Sequence, residues 1–254
     1  MKILITGHLG FIAKHFIKEL SDHDLSFYEW GETFPNLKGL DWVIHCGAIS
    51  STTEQDIDKI KKQNFEFSCW LLQQCIQYSV NLQYSSSASV YGLNKEFKET
   101  SPVDPRTPYA WSKYLFEQIA LNTKAPILVQ GFRYFNVYGS GEEHKGKQAS
   151  PYTQFKQQAQ KNGVITVFDT NACRDFICVN DVVTTQIKFL NINQNGIWNI
   201  GTGTTRSFLS IAQDIAKEYD AKIKIVPLPK VLEQSYQTYT CADMSKTKKA
   251  LEIC

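Results

Sequence analysis

Short apolar runs alternate along this chain with segments in which apolar residues recur at helical spacing. The run at residues 2–6 has no helical period and predicts a buried strand, whereas residues 11–20 carry the helical pattern. The same patterns predict strands at residues 26–29, 41–46, 82–86 and 127–133 and helices at residues 64–78 and 109–121. This alternation is typical of βαβ crossovers, so we predict an α/β fold built on a parallel sheet with helices on both faces.

The turn after the first predicted strand contains two glycines that suit a phosphate site. Gly7 permits a tight turn, and Gly10 lets a diphosphate approach the N–H groups at the start of the following helix. Ala13 occupies the position where a third glycine would allow close packing of helix and strand. The turn indicates a Rossmann-type, doubly wound fold that binds NAD or NADP. A glycine-containing turn in another kind of α/β protein is the alternative.

The remainder of the chain changes character after Tyr138. Residues 140–147 form a polar loop that is long enough to cover a site, residues 196–203 read as a strand entering a turn, and Ser207 is a candidate N-cap for a helix at 208–219. We predict a cofactor-binding domain at 1–137, completed by about 175–200. A smaller substrate-binding lobe would comprise residues 138–174 and 201–254.

Composition narrows the class of protein. The chain has 254 residues, is 43% hydrophobic and carries a formal net charge of +2, and its dispersed basic residues argue against nucleic acid as a partner. Its seven cysteines are scattered without a C-x-x-C pair or clustered histidines, so we expect reduced thiols and no metal site. No signal peptide or membrane-length apolar run is present, so we expect a cytoplasmic protein without a membrane partner.

Three residues could form an acid/base site. Tyr109 and Lys113 are four residues apart on a predicted helix and therefore lie on one face, and Ser87 ends a predicted strand. Lowering a tyrosine pKa by about three units takes about 4 kcal/mol, which the lysine ammonium and an oxidised nicotinamide could supply. Ser87 would hold a substrate hydroxyl beside Tyr109. The alternatives are a strand-end serine that caps local backbone and a lysine that only extends along an amphipathic helix.

With these elements the chain resembles the extended short-chain dehydrogenase/reductase family. That family shares the pattern T-G-x-x-G-x-x-G, a strand end containing serine, and Y-x-x-x-K. The resemblance is closest to the ADP-glyceromanno-heptose 6-epimerase branch, which inverts a sugar nucleotide used in lipopolysaccharide synthesis. The segments that carry this closer resemblance are residues 46–54, 131–139, 144–146 and 236–240.

The resemblance implies roles for individual residues. The catalytic group would be Tyr109 and Lys145 as the two acid/bases, with Lys113 and Ser87 supporting the tyrosine side. The cofactor would contact Gly7, Gly10, Phe11, Ile12, Ala48, Ser50, Asn64, Tyr109, Lys113 and Val137. The sugar nucleotide would contact Ser87, Asn136, Phe168, Asp169, Arg174 and Tyr236. Arg174 suits diphosphate oxygens, although an ion pair with Asp175 is the alternative, and Lys145 could instead be an ordinary loop lysine.

Three features depart from the family pattern. The stretch between the second predicted strand and Asp41 is short and lacks the usual strand and acidic residue near the adenine, so Glu29 or Glu32 would have to meet a ribose hydroxyl. Lys147 replaces a small polar residue. No further closing helix is predicted after the segment 246–251.

We therefore predict a nucleotide-sugar epimerase that oxidises a sugar carbinol, lets the ketone rotate, and reduces its other face. The enzymatic alternatives are a UDP-hexose 4-epimerase and a keto-sugar reductase, and a non-catalytic nucleotide-binding protein is the competing class. A 4,6-dehydratase is disfavoured because residues 87–89 contain no carboxylic acid. The sequence leaves a homo-oligomer open.

Overall fold

A single parallel sheet of six strands organises the protein. The computed structural model describes residues 1–230 and 236–252. The sheet has the order β10-β5-β4-β3-β1-β2, and every pairing in it is parallel. Its strands are β1 (Lys2–Thr6), β2 (Asp24–Tyr28), β3 (Trp42–His45), β4 (Asn81–Ser87), β5 (Val129–Tyr134) and β10 (Gly196–Ile200). The predicted α/β Rossmann-type sheet is thereby confirmed.

Helices cover both faces of this sheet and part of a second lobe. They are α1 (Phe11–Glu19), α2 (Ile57–Ile60), α3 (Phe67–Tyr78), α4 (Pro108–Asn122), α5 (Pro151–Asn162), α6 (Val179–Lys188), α7 (Phe208–Tyr219) and α8 (Ser245–Glu252). Short 3₁₀ segments lie at Ala88–Tyr91, Glu143–Gln148 and Phe189–Asn191. The remaining strands are β6 (Asn136–Tyr138), β7 (Val164–Phe168), β8 (Cys173–Arg174), β9 (Phe176–Cys178), β11 (Arg206–Ser207) and β12 (Lys222–Val226).

Several elements differ in extent from the sequence prediction. The helix predicted at 64–78 begins earlier, because α2 continues through a π-helical stretch, Lys61–Glu66, into α3. The polar loop at 140–147 contains a 3₁₀ segment that is kinked at Gly146, where φ is +54°. The segment 246–251 lies within α8. Ser207 caps α7 as predicted, since its side chain accepts a hydrogen bond from Ser210 N.

The topology creates a crevice at the carboxyl end of β1. This strand pairs with β2 on one side and β3 on the other. The order of strands therefore reverses at β1, and the connections on its two sides diverge and leave a gap at the strand ends. Gly7 follows β1 with φ +70°, and a Cβ there would lie 2.4 Å from Gly47 Cα. The two backbones can therefore meet only because both residues lack side chains.

A buried ion pair fixes α4 against the sheet. Glu117 on α4 accepts hydrogen bonds from Arg133 on β5, at 3.0 Å from Nε and 2.6 Å from Nη2, and it also accepts one from Ser86 Oγ on β4. Both charged side chains are almost fully buried. Removing one partner of such a pair costs about 3–5 kcal/mol, because the other charge is left uncompensated. The pair therefore fixes the position of α4 along the strands β4 and β5.

A smaller lobe packs beside the carboxyl edge of the sheet. Helices α5 and α7 cover the parallel pair β7–β12, and their apolar faces form a separate core. The core contains Phe155, Ile165, Val167, Phe176, Ile211 and Ile215. The domain limits predicted from the sequence stay a proposal. In the described parts of the chain, the helices are too short or too polar to traverse a lipid bilayer.

Candidate active site

The turn after β1 has the geometry of a phosphate cradle. Gly10 is the N-cap of α1 and has no side chain to cap the helix, and Gly10 N donates to Gly7 O at 2.9 Å. A Cβ on Gly10 would lie 3.0 Å from that same oxygen. The first N–H groups of α1 are thus left for an external acceptor, and the helix dipole favours an anion there.

A cleft of about 580 Å³ opens in front of this turn. Among its lining residues are most of the predicted cofactor contacts, namely Gly7, Gly10, Phe11, Ile12, Ala48, Ser50, Tyr109 and Lys113. Lys145 lines it as well. The glycine turn and the free N-terminus of α1 fit the diphosphate of a nicotinamide dinucleotide, and Lys113 fits its ribose.

Asn64 is buried and is not among the residues that line this cleft, so its predicted contact with the cofactor stays a prediction. Its amide is buried, accepts from Ile49 N at 2.7 Å, and donates to Ile49 O and to Ser112 Oγ. The side chain therefore holds the backbone that carries Ala48 and Ser50. Val137, also predicted to contact the cofactor, lines a second cleft of about 920 Å³ that adjoins the first.

A smaller pocket of about 380 Å³ opens at the carboxyl ends of β1, β2 and β3, where we expect the adenine of a dinucleotide. It is lined by Tyr28, Glu29, Trp30 and Phe67, among others. The Glu29 carboxylate accepts from Leu9 N at 3.3 Å, so it lies against the glycine turn, whereas the Glu32 carboxylate accepts from Glu29 N. Of the two predicted acidic residues, Glu29 is the one that faces the pocket.

Tyr109 opens α4 at the junction of two clefts. Thr107 caps the helix by accepting from Ala110 N, and Pro108 fits its first turn. Burial raises the pKa of Tyr109, and a hydrogen bond with Ser87 opposes that shift. Ser87 Oγ also accepts from Ser89 N at 3.1 Å. Ser87 therefore caps local backbone and contacts the tyrosine as well, so the two interpretations of this serine are compatible.

Lys113 lies one turn further along α4 and does not by itself lower the tyrosine pKa as expected. Its Nζ donates to Ser85 O at 2.9 Å and is 5.9 Å from the centre of the Tyr109 ring. Burial lowers the pKa of Lys113 to about 8, although Cys46 and Glu117 act in the opposite direction. One of three ammonium donors is used, which leaves two for a ribose hydroxyl.

Lys145 reaches the same junction from the segment after β6. Its Nζ lies 4.9 Å from the centre of the Phe11 ring, at the start of α1, and the residue lines both the cofactor cleft and the substrate cleft. Burial lowers its pKa, and the nearby Glu142 acts against this shift. The lysine is therefore partly desolvated and close to the position of the cofactor phosphates.

The substrate cleft, of about 920 Å³, joins the cofactor cleft at Tyr109 and Lys145. Ser87 and Asn136 line it as predicted, and Asn136 Nδ2 donates to Asp175 O at 3.0 Å and lies 3.3 Å from Thr240 Oγ1. The buried Ser89 Oγ in this wall has no hydrogen-bond partner among the described residues. A wall of hydroxyl and amide groups suits a polyhydroxylated ligand.

The other predicted substrate residues form a second region under α5 and α7. Phe168 and Tyr236 line a pocket of about 790 Å³, and the Arg174 guanidinium lies 5.5 Å and 5.6 Å from the ring centres of Tyr236 and Phe208. Arg174 donates to Cys173 O and Gln237 O, and within the described ranges it makes no ion pair with Asp175. Asp169 is exposed, and its N–H donates to Val226 O.

Sequence reasoning missed several residues of the substrate cleft. Glu142, Gln148 and Ser150 line it, as do Thr52 and Gln237. The last two lie inside segments that carried the family resemblance, so that signal could have identified them. Glu142 gave no signal, because a glutamate in a polar loop is ordinarily a solvated residue.

Most of the chain, including the glycine turn and the Tyr109 helix, matches a known family. Residues 3–201 fit the family model described as the NAD-dependent epimerase/dehydratase family. The chain belongs to that family. Membership confirms the predicted resemblance at the family level and the use of a nicotinamide dinucleotide cofactor. The family acts on nucleotide sugars as epimerases and dehydratases.

Three solved structures illustrate the shared fold. UDP-N-acetylglucosamine 4-epimerase from Methanobrevibacter ruminantium, in complex with UDP-N-acetylmuramic acid, has a TM-score of 0.89 at 22% identity, with 98% of this chain and 91% of that chain covered. ADP-L-glycero-D-manno-heptose-6-epimerase from Helicobacter pylori has a TM-score of 0.87 at 22% identity, with 99% of this chain and 90% of that chain covered. UDP-glucose 4-epimerase from Thermus thermophilus, in complex with NAD, has a TM-score of 0.83 at 24% identity, with 98% of this chain and 92% of that chain covered.

We expect Tyr109→Phe to keep cofactor affinity and to lower turnover by about 10²–10⁴-fold, because the phenol would move a proton in the reaction. Tyr114→Phe, on the same helix, serves as the matched control. Steady-state turnover and calorimetric titration of NAD measure the two effects. Near-normal turnover of Tyr109→Phe would remove this tyrosine from the catalytic group.

We expect Gly10→Asp to abolish binding of the dinucleotide while the thermal unfolding midpoint stays close to that of the unmodified protein. The new carboxylate would stand where the diphosphate approaches the start of α1. Gly10→Ala adds the Cβ without the charge and should weaken binding less. Calorimetric titration distinguishes the variants, and unchanged affinity in Gly10→Asp would mean that the turn is only structural.

Proposed function

We propose that the protein is a nucleotide-sugar epimerase, similar in activity to ADP-heptose 6-epimerase. The observation that carries this proposal is the pairing of Tyr109 and Lys145, two proton-transfer groups from different elements that line one cleft beside the cofactor site. An epimerase that holds the reacting oxygen at two different positions needs a proton-transfer group at each of them, whereas a reductase needs only one. The choice of a heptose nucleotide rests on the sequence segments that resemble the heptose epimerase branch, since heptose and UDP-sugar epimerases share this fold alike.

The residues of the cleft divide the work of proton transfer. A bound nicotinamide dinucleotide supplies the oxidation and re-reduction of the sugar carbinol. Tyr109 takes or returns the carbinol proton, and the Ser87 hydroxyl orients the reacting oxygen. Lys145 does the same for the opposite epimer. Lys113 contributes positive charge next to the tyrosine and holds the ribose.

Competing activities make different demands on the cleft. A 4,6-dehydratase needs a free carboxylic acid, but Glu142, which lines the described part of the cleft, has both oxygens engaged in hydrogen bonds. A UDP-hexose 4-epimerase would need only Tyr109 and a rotating ketone. A keto-sugar reductase would consume reduced cofactor. A non-catalytic nucleotide-binding protein would leave Tyr109 and Lys145 without a task.

We expect the protein to convert ADP-D-glycero-D-manno-heptose into its L-glycero epimer without net change in the absorbance of reduced nicotinamide. Lys145→Met should lower this conversion by about 10²–10⁴-fold, because one of the two positions of the reacting oxygen loses its proton-transfer group. Lys156→Met, an exposed lysine on α5, is the matched control. Steady consumption of reduced cofactor would favour the reductase, and turnover of UDP-glucose instead would favour the 4-epimerase.

We propose further that the cofactor is NAD and not NADP. Glu29 directly follows β2, where an acidic residue hydrogen-bonds a ribose 2′-hydroxyl and repels a 2′-phosphate. We expect NAD to bind at least about tenfold more tightly than NADP, or about 1.4 kcal/mol. Glu29→Gln should narrow this ratio, and Glu32→Gln should leave it unchanged. Calorimetric titration with both dinucleotides measures the ratio, and a preference for NADP in the unmodified protein would contradict the assignment.

We propose that one apolar surface of the protein mediates formation of a homodimer. Trp111, Leu115 and Ile119 form an apolar stripe along the outer side of α4, with exposures of 48%, 44% and 39%. Residues at this spacing share one helix face, which could pack against the same face of a second copy. We expect a dimer in light scattering, and Trp111→Glu with Leu115→Glu should make it monomeric. A monomeric unmodified protein at micromolar concentration would contradict this.

A further inference from the structure

The carboxylate of Glu142 is fully buried in a segment that is otherwise polar and largely exposed. It accepts hydrogen bonds from Ser150 N at 2.8 Å, Ser150 Oγ at 2.5 Å, Thr153 Oγ1 at 2.8 Å and Gly139 N at 3.3 Å. These donors belong to Gly139 and Ser150, at the two ends of the segment 139–150, and to Thr153 just beyond it. One side chain therefore closes the segment into a loop.

The start of α5 provides the electrostatic reason for this burial. Ser150 is the N-cap of α5, a helix of 12 residues, and Thr153 lies in its first turn. A carboxylate at a helix N-terminus interacts favourably with the helix dipole, and four hydrogen bonds replace the water that burial removes. No salt bridge to Glu142 is present among the described residues.

The loop so closed carries Lys145 in a defined position. Lys145 N donates to Glu142 O at 2.9 Å, and the Lys145 ammonium lies against the Phe11 ring. Outside the loop, His15 on α1 hydrogen-bonds Ser140 O at 3.0 Å through Nε2. The segment is thus attached to α5 at one end and to α1 at the other.

We propose that Glu142 is a positioning residue that presets the loop and holds Lys145 at the junction of the two clefts before any ligand binds. The role of Lys145 as second proton donor rests on the proposed function above. The positioning itself does not, because it concerns the order of residues 139–150 in the ligand-free protein. Loss of the carboxylate leaves four donors unpaired and releases the loop.

Hydrogen exchange of the ligand-free protein tests the positioning directly. In Glu142→Ala we expect exchange at the amides of residues 145–150 to accelerate at least about tenfold, while amides of the central sheet are unchanged. Glu142→Gln keeps the acceptor oxygen and should restore most of the protection. Glu143→Ala, which removes an exposed carboxylate one residue away, is the matched control. Equal exchange in Glu142→Ala and in the control would overturn the proposal.

Thr153→Val covers the case in which Glu142→Ala does not fold. This substitution keeps the shape of the side chain and removes one of the four donors to Glu142. We expect a smaller acceleration, of a few-fold, over the same residues. Exchange identical to that of the unmodified protein in this variant would also count against the proposal.

Single-turnover measurements separate positioning from general damage. With each ADP-manno-heptose epimer as the probe, formation of reduced cofactor on the protein is followed by absorbance. Lys145→Met should impair the reaction of one epimer, and Tyr109→Phe that of the other. Glu142→Ala should reproduce the Lys145→Met pattern with a loss of about 10²-fold, as expected for a misplaced catalytic group, with unchanged NAD affinity.

Hydrogen exchange and single-turnover kinetics together distinguish a failure of the proposed function from a failure of the positioning role of Glu142. If Lys145→Met impairs both epimers equally or neither, the proposed function fails, whereas the exchange result still decides the positioning role of Glu142. If Lys145→Met is selective and Glu142→Ala impairs both epimers equally, Glu142 is only a structural residue and the inference fails.

Discussion

The Glu117–Arg133 ion pair is the interaction on which the candidate site depends most. It joins α4 to β5 and, through Ser86, to β4. Tyr109, Lys113 and Glu117 are spaced four residues apart on α4, so fixing Glu117 fixes the other two relative to the end of β4. Ser87 follows Ser86 directly. The pair costs desolvation, but it places a phenol, an ammonium and a hydroxyl together at one strand end.

Burial has a common effect on the proton-transfer groups. It raises the pKa of Tyr109 and lowers the pKa of both Lys113 and Lys145, because a desolvated site disfavours every charged form. Lys113 alone, with its ammonium turned to Ser85 O, does not reverse the shift of the tyrosine. The tyrosine thus becomes an effective base only when further positive charge is bound beside it. We therefore expect the positive charge of an oxidised nicotinamide to oppose the rise in the Tyr109 pKa.

The sequence predicted most of the sheet and the cofactor side of the site, because strand periodicity and the glycine turn are local signals. Gly7, Phe11 and Lys113 line one cleft because the predicted order of strands brings their elements together. The substrate side depends on contacts between distant segments, and local patterns carry little of that information. Asn64 illustrates the limit, since the sequence could not show that its buried amide hydrogen-bonds the backbone of Ile49. Glu142 illustrates the converse, because only the folded loop shows that its carboxylate is buried.

The short connection between β2 and β3 contains no strand of its own, and β1 pairs with both β2 and β3. Residues 29–41 contain no helix or strand, and aromatic side chains of this connection and of α3 pack together beside Tyr28, the last residue of β2. Phe67 stacks on Tyr28 and on Trp70, and Phe34 lies 4.5 Å from the Trp70 ring centre. This packing keeps Glu29 against the glycine turn and leaves a pocket beside it. The short connection therefore still leaves room for an adenine beside the end of β1, because the aromatic side chains pack to one side of this pocket and do not fill it.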